Sequence, residues 1–148
     1  MASLPLLRAI HVTSAVLLLG NVVVTGFWAT YLYRVRDAVP FHPVARAILW
    51  ADLWFTLLGG TGLVVSGVLL VMAQGYPLST PWIRHGIEAL GVSTLLWLTV
   101  LLPDQWRLER IGPGDVVALR RTFLRWSVVG WAATLALFVG LWAMVAKV

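Results

Sequence analysis

Cysteine is missing from the 148-residue chain, which removes disulfides, thiolate nucleophiles, iron–sulfur clusters and cysteine zinc sites together. Charge is nearly as scarce. Asp, Glu, Lys and Arg make up 11% of the residues, where a domain facing water on all sides carries about 25%. No HExxH, phosphate-binding glycine loop, GxSxG elbow or dinucleotide fingerprint occurs, so the zincin, nucleotide and hydrolase classes fall away. The side chains left for ligation or acid–base work are His, Asp, Glu, Asn and Met.

Apolar residues fill the space that charge leaves. They reach 60% of the chain, and the mean hydropathy is +0.89. Four runs, at about 9–33, 53–73, 83–102 and 126–146, are each long enough to cross a hydrocarbon core of about 30 Å at about 1.5 Å per helical residue. Continuous stretches such as Leu17-Leu18-Leu19 and Val68-Leu69-Leu70 do not alternate, which excludes a barrel. The first run is longer than the apolar region of a signal peptide, carries Asn21 and Thr25, and lacks a small-residue cleavage site before Arg34. The expectation is an all-α integral membrane four-helix bundle with up-down topology, a single domain over residues 1–148, and no room for a separate soluble catalytic unit.

Two connections hold prolines that should stop a helix: Asp37 to Pro43, with Pro40 and Pro43, and Gln74 to Pro81, with Pro77 and Pro81. The third, Pro103 to Arg125, is the longest. Its Gly112-Pro113-Gly114-Asp115 turn predicts a helical extension capped by Asp115 and leading into the fourth span. Arg34, Arg36, Arg46, Arg107, Arg110, Arg120, Arg121 and Arg125 fall on one side of the membrane, against Arg8, Arg84 and Lys147 on the other. That asymmetry predicts both termini outside a multi-pass protein of the cell membrane, a bacterial inner membrane by preference. The net charge of +5 flanks the apolar runs and forms no basic stripe, so the expected partner is the anionic lipid bilayer and not nucleic acid. Trp50, Trp54 and Trp106 on one side, and Trp82 and Trp142 on the other, suit interfacial belts.

Chemistry-bearing residues are few. His11, Ser14, Asn21 and Thr25 share one sector of the first helix, a weakly polar stripe that should face protein. His85 and Glu88 stand at i, i+3 in the third span. The first and third helices of an up-down bundle run parallel, so His11 and His85 begin at similar depths. They are candidate metal ligands, able to give two axial imidazoles to haem b, with Glu88 as an outer acceptor and Asn21 on the same interior stripe. Met72 and Met144 offer a second ligand type near the same end, though Met in an apolar helix commonly fills gaps. His11 is equally an interfacial histidine donating to a carbonyl, and His42 reads as a solvated loop residue. Glu88 has Arg84 one turn before it as an ion-pair partner, while Asp52 is either an interfacial partner of Arg46 or Arg125 or a proton site. Glycines 59, 60, 62 and 67 with Ser66, and Ala132, Ala136, Gly140 and Ala143, form small-residue stripes that pack the bundle or a neighbouring subunit.

The opening Leu7-Arg8-Ala9-Ile10-His11-Val12-Thr13-Ser14-Ala15, then Gly20-Asn21-Val22-Val23-Val24-Thr25-Gly26-Phe27-Trp28, with the later Thr80-Pro81-Trp82 and Leu101-Leu102-Pro103, resembles an uncharacterised domain-of-unknown-function family, DUF2269, of small predicted integral membrane proteins. More distantly, a histidine early in the first helix is similar to the copper-resistance CopD membrane domain and to HemJ-type protoporphyrinogen oxidases. That likeness implies haem or metal handling at His11. The third span has His85 and Glu88 and no lysine, so the HemJ activity itself is not implied. Three functions follow as expectations: a haem-b-binding redox or haem-handling protein, a non-catalytic accessory subunit or assembly factor with a membrane protein partner or a second copy, and a proton-coupled carrier using Glu88 or Asp52.

Overall fold

The computed structural model describes residues 3–39, 41–112 and 114–148; Pro40 and Pro113, which belong to two of the expected turns, lie outside them. The elements are helices α1 (Leu4–Arg34), α2 (Phe41–Gln74), α3 (Pro81–Leu96), α4 (Leu102–Arg110) and α5 (Val116–Ala146). A π-helical turn, Trp97–Leu101, joins α3 to α4. Four rods result, because Pro81–Arg110 is continuous, and each is long and apolar enough to cross a membrane. The expected all-α, four-span architecture is present.

The helices outrun the apolar stretches that announce them. α2 starts at Phe41, not near residue 53, and the third rod runs to Arg110, not to about 102. Hydropathy marks only the part of a helix that meets lipid, whereas backbone hydrogen bonding continues into the polar zone. Pro43 does not stop α2, contrary to expectation. It sits in the first turn, where an N–H has no intrahelical acceptor to lose. Pro103 is passed by different means. The N–H of Leu102 reaches back five residues to the carbonyl of Trp97, and the widened turn relieves the crowding that the proline ring would cause. Asp115 caps α5 as expected, accepting the Ala118 N–H at 3.0 Å.

Contacts at the rod ends fix the directions. Arg8 of α1 donates to Gln74 at the end of α2 at 3.0 Å. Lys147, just past α5, lies 3.6 Å above the Trp82 ring at the start of α3. Arg46 of α2 pairs with Glu109 of α4. Neighbouring rods are therefore antiparallel, and the two termini share one end of the bundle, opposite an arginine-rich end.

Two close pairs build the bundle, α1 with α2 and α3 with α5. A methyl group at Gly59 would lie 2.9 Å from the Leu18 backbone nitrogen, and one at Gly140 would lie 2.7 Å from the Ala89 Cβ. Only glycine allows these approaches, which supply the dispersion contact that lipid cannot provide by exclusion. The small-residue stripes thus serve the interior at Gly59, Gly62, Gly140 and Ala143, while Ala132 faces outward. The two pairs meet each other through α1 with α5 and α2 with α4. At the arginine end the seam is filled by Trp97, Leu101, Leu108, Phe123 and Trp126, with Tyr33 stacked on Phe123 at 4.0 Å.

Candidate functional site

Between the two pairs, three rods converge on one carboxylate. Asp52 of α2 is only 4% exposed. Its Oδ1 accepts from Asn21 Nδ2 of α1 at 2.9 Å and from Thr56 Oγ1 at 3.4 Å. Its Oδ2 accepts from Gln105 Nε2 of α4 at 2.9 Å and from the indole Nε1 of Trp97 at 3.2 Å. Thr25 extends the network by donating to Asn21 Oδ1 at 3.3 Å. All four donors are neutral. Taking a carboxylate out of water costs several kcal/mol, which hydrogen bonds offset in part and a cation would offset further.

Helical spacing brings these groups together. Asn21 and Thr25, like Asp52 and Thr56, are one turn apart on their helices. Trp97 and Gln105 are eight residues apart, which in a regular α-helix leaves them about 80° out of line at about 100° per residue. The π-turn between them absorbs one extra residue and restores the alignment, so both side chains reach Asp52.

One residue before Gln105 stands a second buried carboxylate. Asp104 is 1% exposed and is gripped through both oxygens by Arg125 of α5, with Arg107 Nη1 at 3.2 Å. The guanidinium of Arg125 is therefore engaged with Asp104, and that of Arg46 with Glu109, so neither pairs with Asp52, and the first of the two roles the sequence offered for it is not the one seen.

Asp52 borders a cavity of about 370 Å³ between the helix pairs. Its walls are mainly apolar, with polar groups from Trp97, Gln105, Trp126, Ser127 and several threonines among the lining residues. Gln105 Oε1, Trp126 Nε1 and Ser127 Oγ are buried without a hydrogen-bond partner. Each such group costs about 1–3 kcal/mol when its bond is left unmade. The cavity thus combines mainly apolar walls with one carboxylate and three unpaired polar atoms among the described residues.

A family model described as a predicted integral membrane protein matches residues 5–148. The chain belongs to the DUF2269 family. No curated protein and no solved structure matches it.

In this DUF2269 protein the expected ligands are distributed as follows. His11 turns toward α2, its Nδ1 3.0 Å from Ser66 Oγ. The Ser66 hydroxyl donates to the Gly62 carbonyl, so its oxygen is placed to accept from His11 Nδ1–H. His85 faces its own helix, with Nδ1 3.4 Å from Glu88 Oε2, and Glu88 also meets Arg84 at 3.4 Å, the expected ion pair. The Glu88 side chain is 58% exposed, at the rim. Neither histidine lines the cavity, and no contact joins α1 to α3 among the described residues. The structure does not bring the two rings onto one cavity, and among the described residues no group of three His, Asp or Glu gathers as a metal site. Asn21 belongs to the Asp52 network. Met72 points outward, and Met144 rests on Gly86. His42 is not merely solvated, since its Nδ1 lies 3.2 Å from the Glu109 carbonyl.

Thr56, Trp97, Gln105 and Asp104 carry no motif that marks them in the sequence. Asp52 lies one residue outside the apolar run at about 53–73, and Trp97 lies inside the run at about 83–102. The usable signal was the coincidence of i, i+4 polar pairs, Asn21 with Thr25 and Asp52 with Thr56, on consecutive helices.

Proposed function

We propose that this membrane protein is a proton-coupled carrier in which Asp52 takes up and releases the proton. One observation supports the reading above all. A carboxylate 4% exposed, inside a bundle of membrane-spanning helices, is held by four neutral donors and by no cation. An ionisable group in that position is costly to keep for packing alone, and protonation is the simplest way to neutralise it. Facing it, α1 presents Asn21, the π-turn presents Trp97 and α4 presents Gln105, all uncharged. Arg46, the nearest charge in sequence, pairs with Glu109, and Asp104 on α4 and Arg125 on α5 are taken up by each other. Glu88, the other carboxylate considered, sits at the rim beside Arg84 and His85.

Infrared spectroscopy of the protein in lipid tests this. An acid-carbonyl stretch should grow as pH falls, vanish in Asp52→Asn and persist in Glu88→Gln. A titrating buried band unaffected by Asp52→Asn would remove Asp52 from the role.

A second reading, haem or metal handling, is favoured by the His11 ring. Nδ1 is held by Ser66, which fixes the ring's orientation from the neighbouring helix, the usual support for a coordinating imidazole. His11 would hold such a group through its ring and supply a neutral nitrogen ligand, whereas His85 does not share a cavity with it. Protein purified from haem-supplemented cells should then show a Soret band that weakens in His11→Ala; colourless protein would end this reading.

A further inference from the structure

We propose that the cavity beside Asp52 is a binding site for a protonated organic amine with an apolar body, which enters as the proton leaves the carboxylate. The inference deepens the reading of Asp52 as a protonatable group and rests on it.

Three features of the chamber specify the ligand. First, the carboxylate has no cationic partner, so the charge that complements it must come from outside the protein. Second, Gln105 is 8% exposed and already spends its amide N–H on Asp52, while its Oε1 is unpaired. An ammonium can donate to that oxygen and to the carboxylate together, which an anion cannot do, and the apolar remainder of the walls suits an organic cation over a bare metal ion. Third, the walls are apolar apart from a few groups, and the indoles of Trp97 and Trp126 border the space. Aromatic faces stabilise a desolvated cation, and a volume of about 370 Å³ suits a small amphipathic molecule.

The unpaired Trp126 Nε1 and Ser127 Oγ add a further requirement. Trp126 can only donate, so a ligand oxygen or ring acceptor near the amine would satisfy it. Val64, Val65 and Trp131, which line the cavity, are also exposed on the bundle surface, which gives the chamber a side facing acyl chains. A ligand with a greasy body would arrive from the bilayer, not from water.

The exchange balances without chemistry. The neutral carboxylic acid gives its proton to bulk, and the resulting carboxylate accepts the ammonium, so the net charge in the chamber is zero before and after.

The test uses the full chain in lipid nanodiscs, titrated calorimetrically with 4-phenylbutylamine and with its uncharged counterpart 4-phenylbutan-1-ol. The amine should bind about tenfold more tightly, with a heat that varies with the ionisation enthalpy of the buffer as a proton is released. Asp52→Asn should abolish the preference, Asp52→Glu should retain part of it, and Gln105→Leu, which leaves the carboxylate in place, should weaken amine binding by about threefold or more. Equal binding of amine and alcohol, or a preference that survives Asp52→Asn, would overturn the proposal. Loss of the acid-carbonyl band in Asp52→Asn combined with no amine preference would refute the amine site and leave the proton reading intact. An unaltered band together with an amine preference lost in Asp52→Asn would uphold the site and refute the proton exchange.

Discussion

Asp52 and Asp104 are both buried carboxylates near the seam between the helix pairs, yet they are solved in opposite ways. Asp104, 1% exposed, is held by two arginines, and its charge is cancelled permanently by the chain itself. Asp52, 4% exposed, has only amide, hydroxyl and indole donors. The first arrangement ties α4 to α5 and does nothing else that the geometry suggests. The second leaves the charge to neutral donors alone, which is the ground of the proton and amine proposals. Burial alone therefore does not mark a functional acid; the identity of its partners does.

Three substitutions separate the two sites. The largest expected effect is on the clamp. Asp104→Ala unties α4 from α5 and leaves the half-exposed guanidinium of Arg125 to solvent, and its melting midpoint in detergent should fall by about 5 °C, beyond the fall for Asp52→Asn. If Asp52→Asn melts lower than Asp104→Ala, the division into structural and exchangeable acids is wrong. Next comes the spacing of α1 and α2. Gly59→Ala forces a methyl group against the Leu18 backbone, which cannot swing aside as a side chain would, at a cost of about 2 kcal/mol. It should also perturb the Asp52 acid-carbonyl band by moving Asn21, while leaving the Asp104 clamp untouched. Smallest is Trp97→Phe, which removes one donor from Asp52 at about 1 kcal/mol. Its signature is a shift of the acid-carbonyl frequency with little change in melting, and an unshifted band would show that the indole bond is not made in the membrane.

Much of the fold could be read from the chain because lipid imposes a severe rule: a spanning segment must be long, apolar and helical. Four runs met it. Asp115 announced its cap, and Arg84 with Glu88 announced their pair, because both are local relations along one helix. The site was less legible for the converse reason. Asp52, Asn21 and Gln105 are far apart in sequence, and their meeting depends on how the rods rotate about their axes. That rotation is set by glycine contacts such as Gly59 on Leu18, whose direction composition does not give. Trp97 was hidden most deeply. A regular helix would not have pointed it and Gln105 at one acceptor, and no simple periodicity signals a π-turn.

That wide turn has a mechanical consequence. It stores one residue of slack in an otherwise regular rod, and slack of this kind can be passed along a helix one hydrogen bond at a time. Each hop past a position rotates that side chain by about 100° relative to the rest. Sliding the spare link toward Gln105 and beyond would swing the amide off Asp52 while both ends of the rod stayed where they are. The hold of Gln105 on the carboxylate thus depends on where along the rod that extra residue sits, next to Pro103, whose missing N–H leaves one rung out of the ladder.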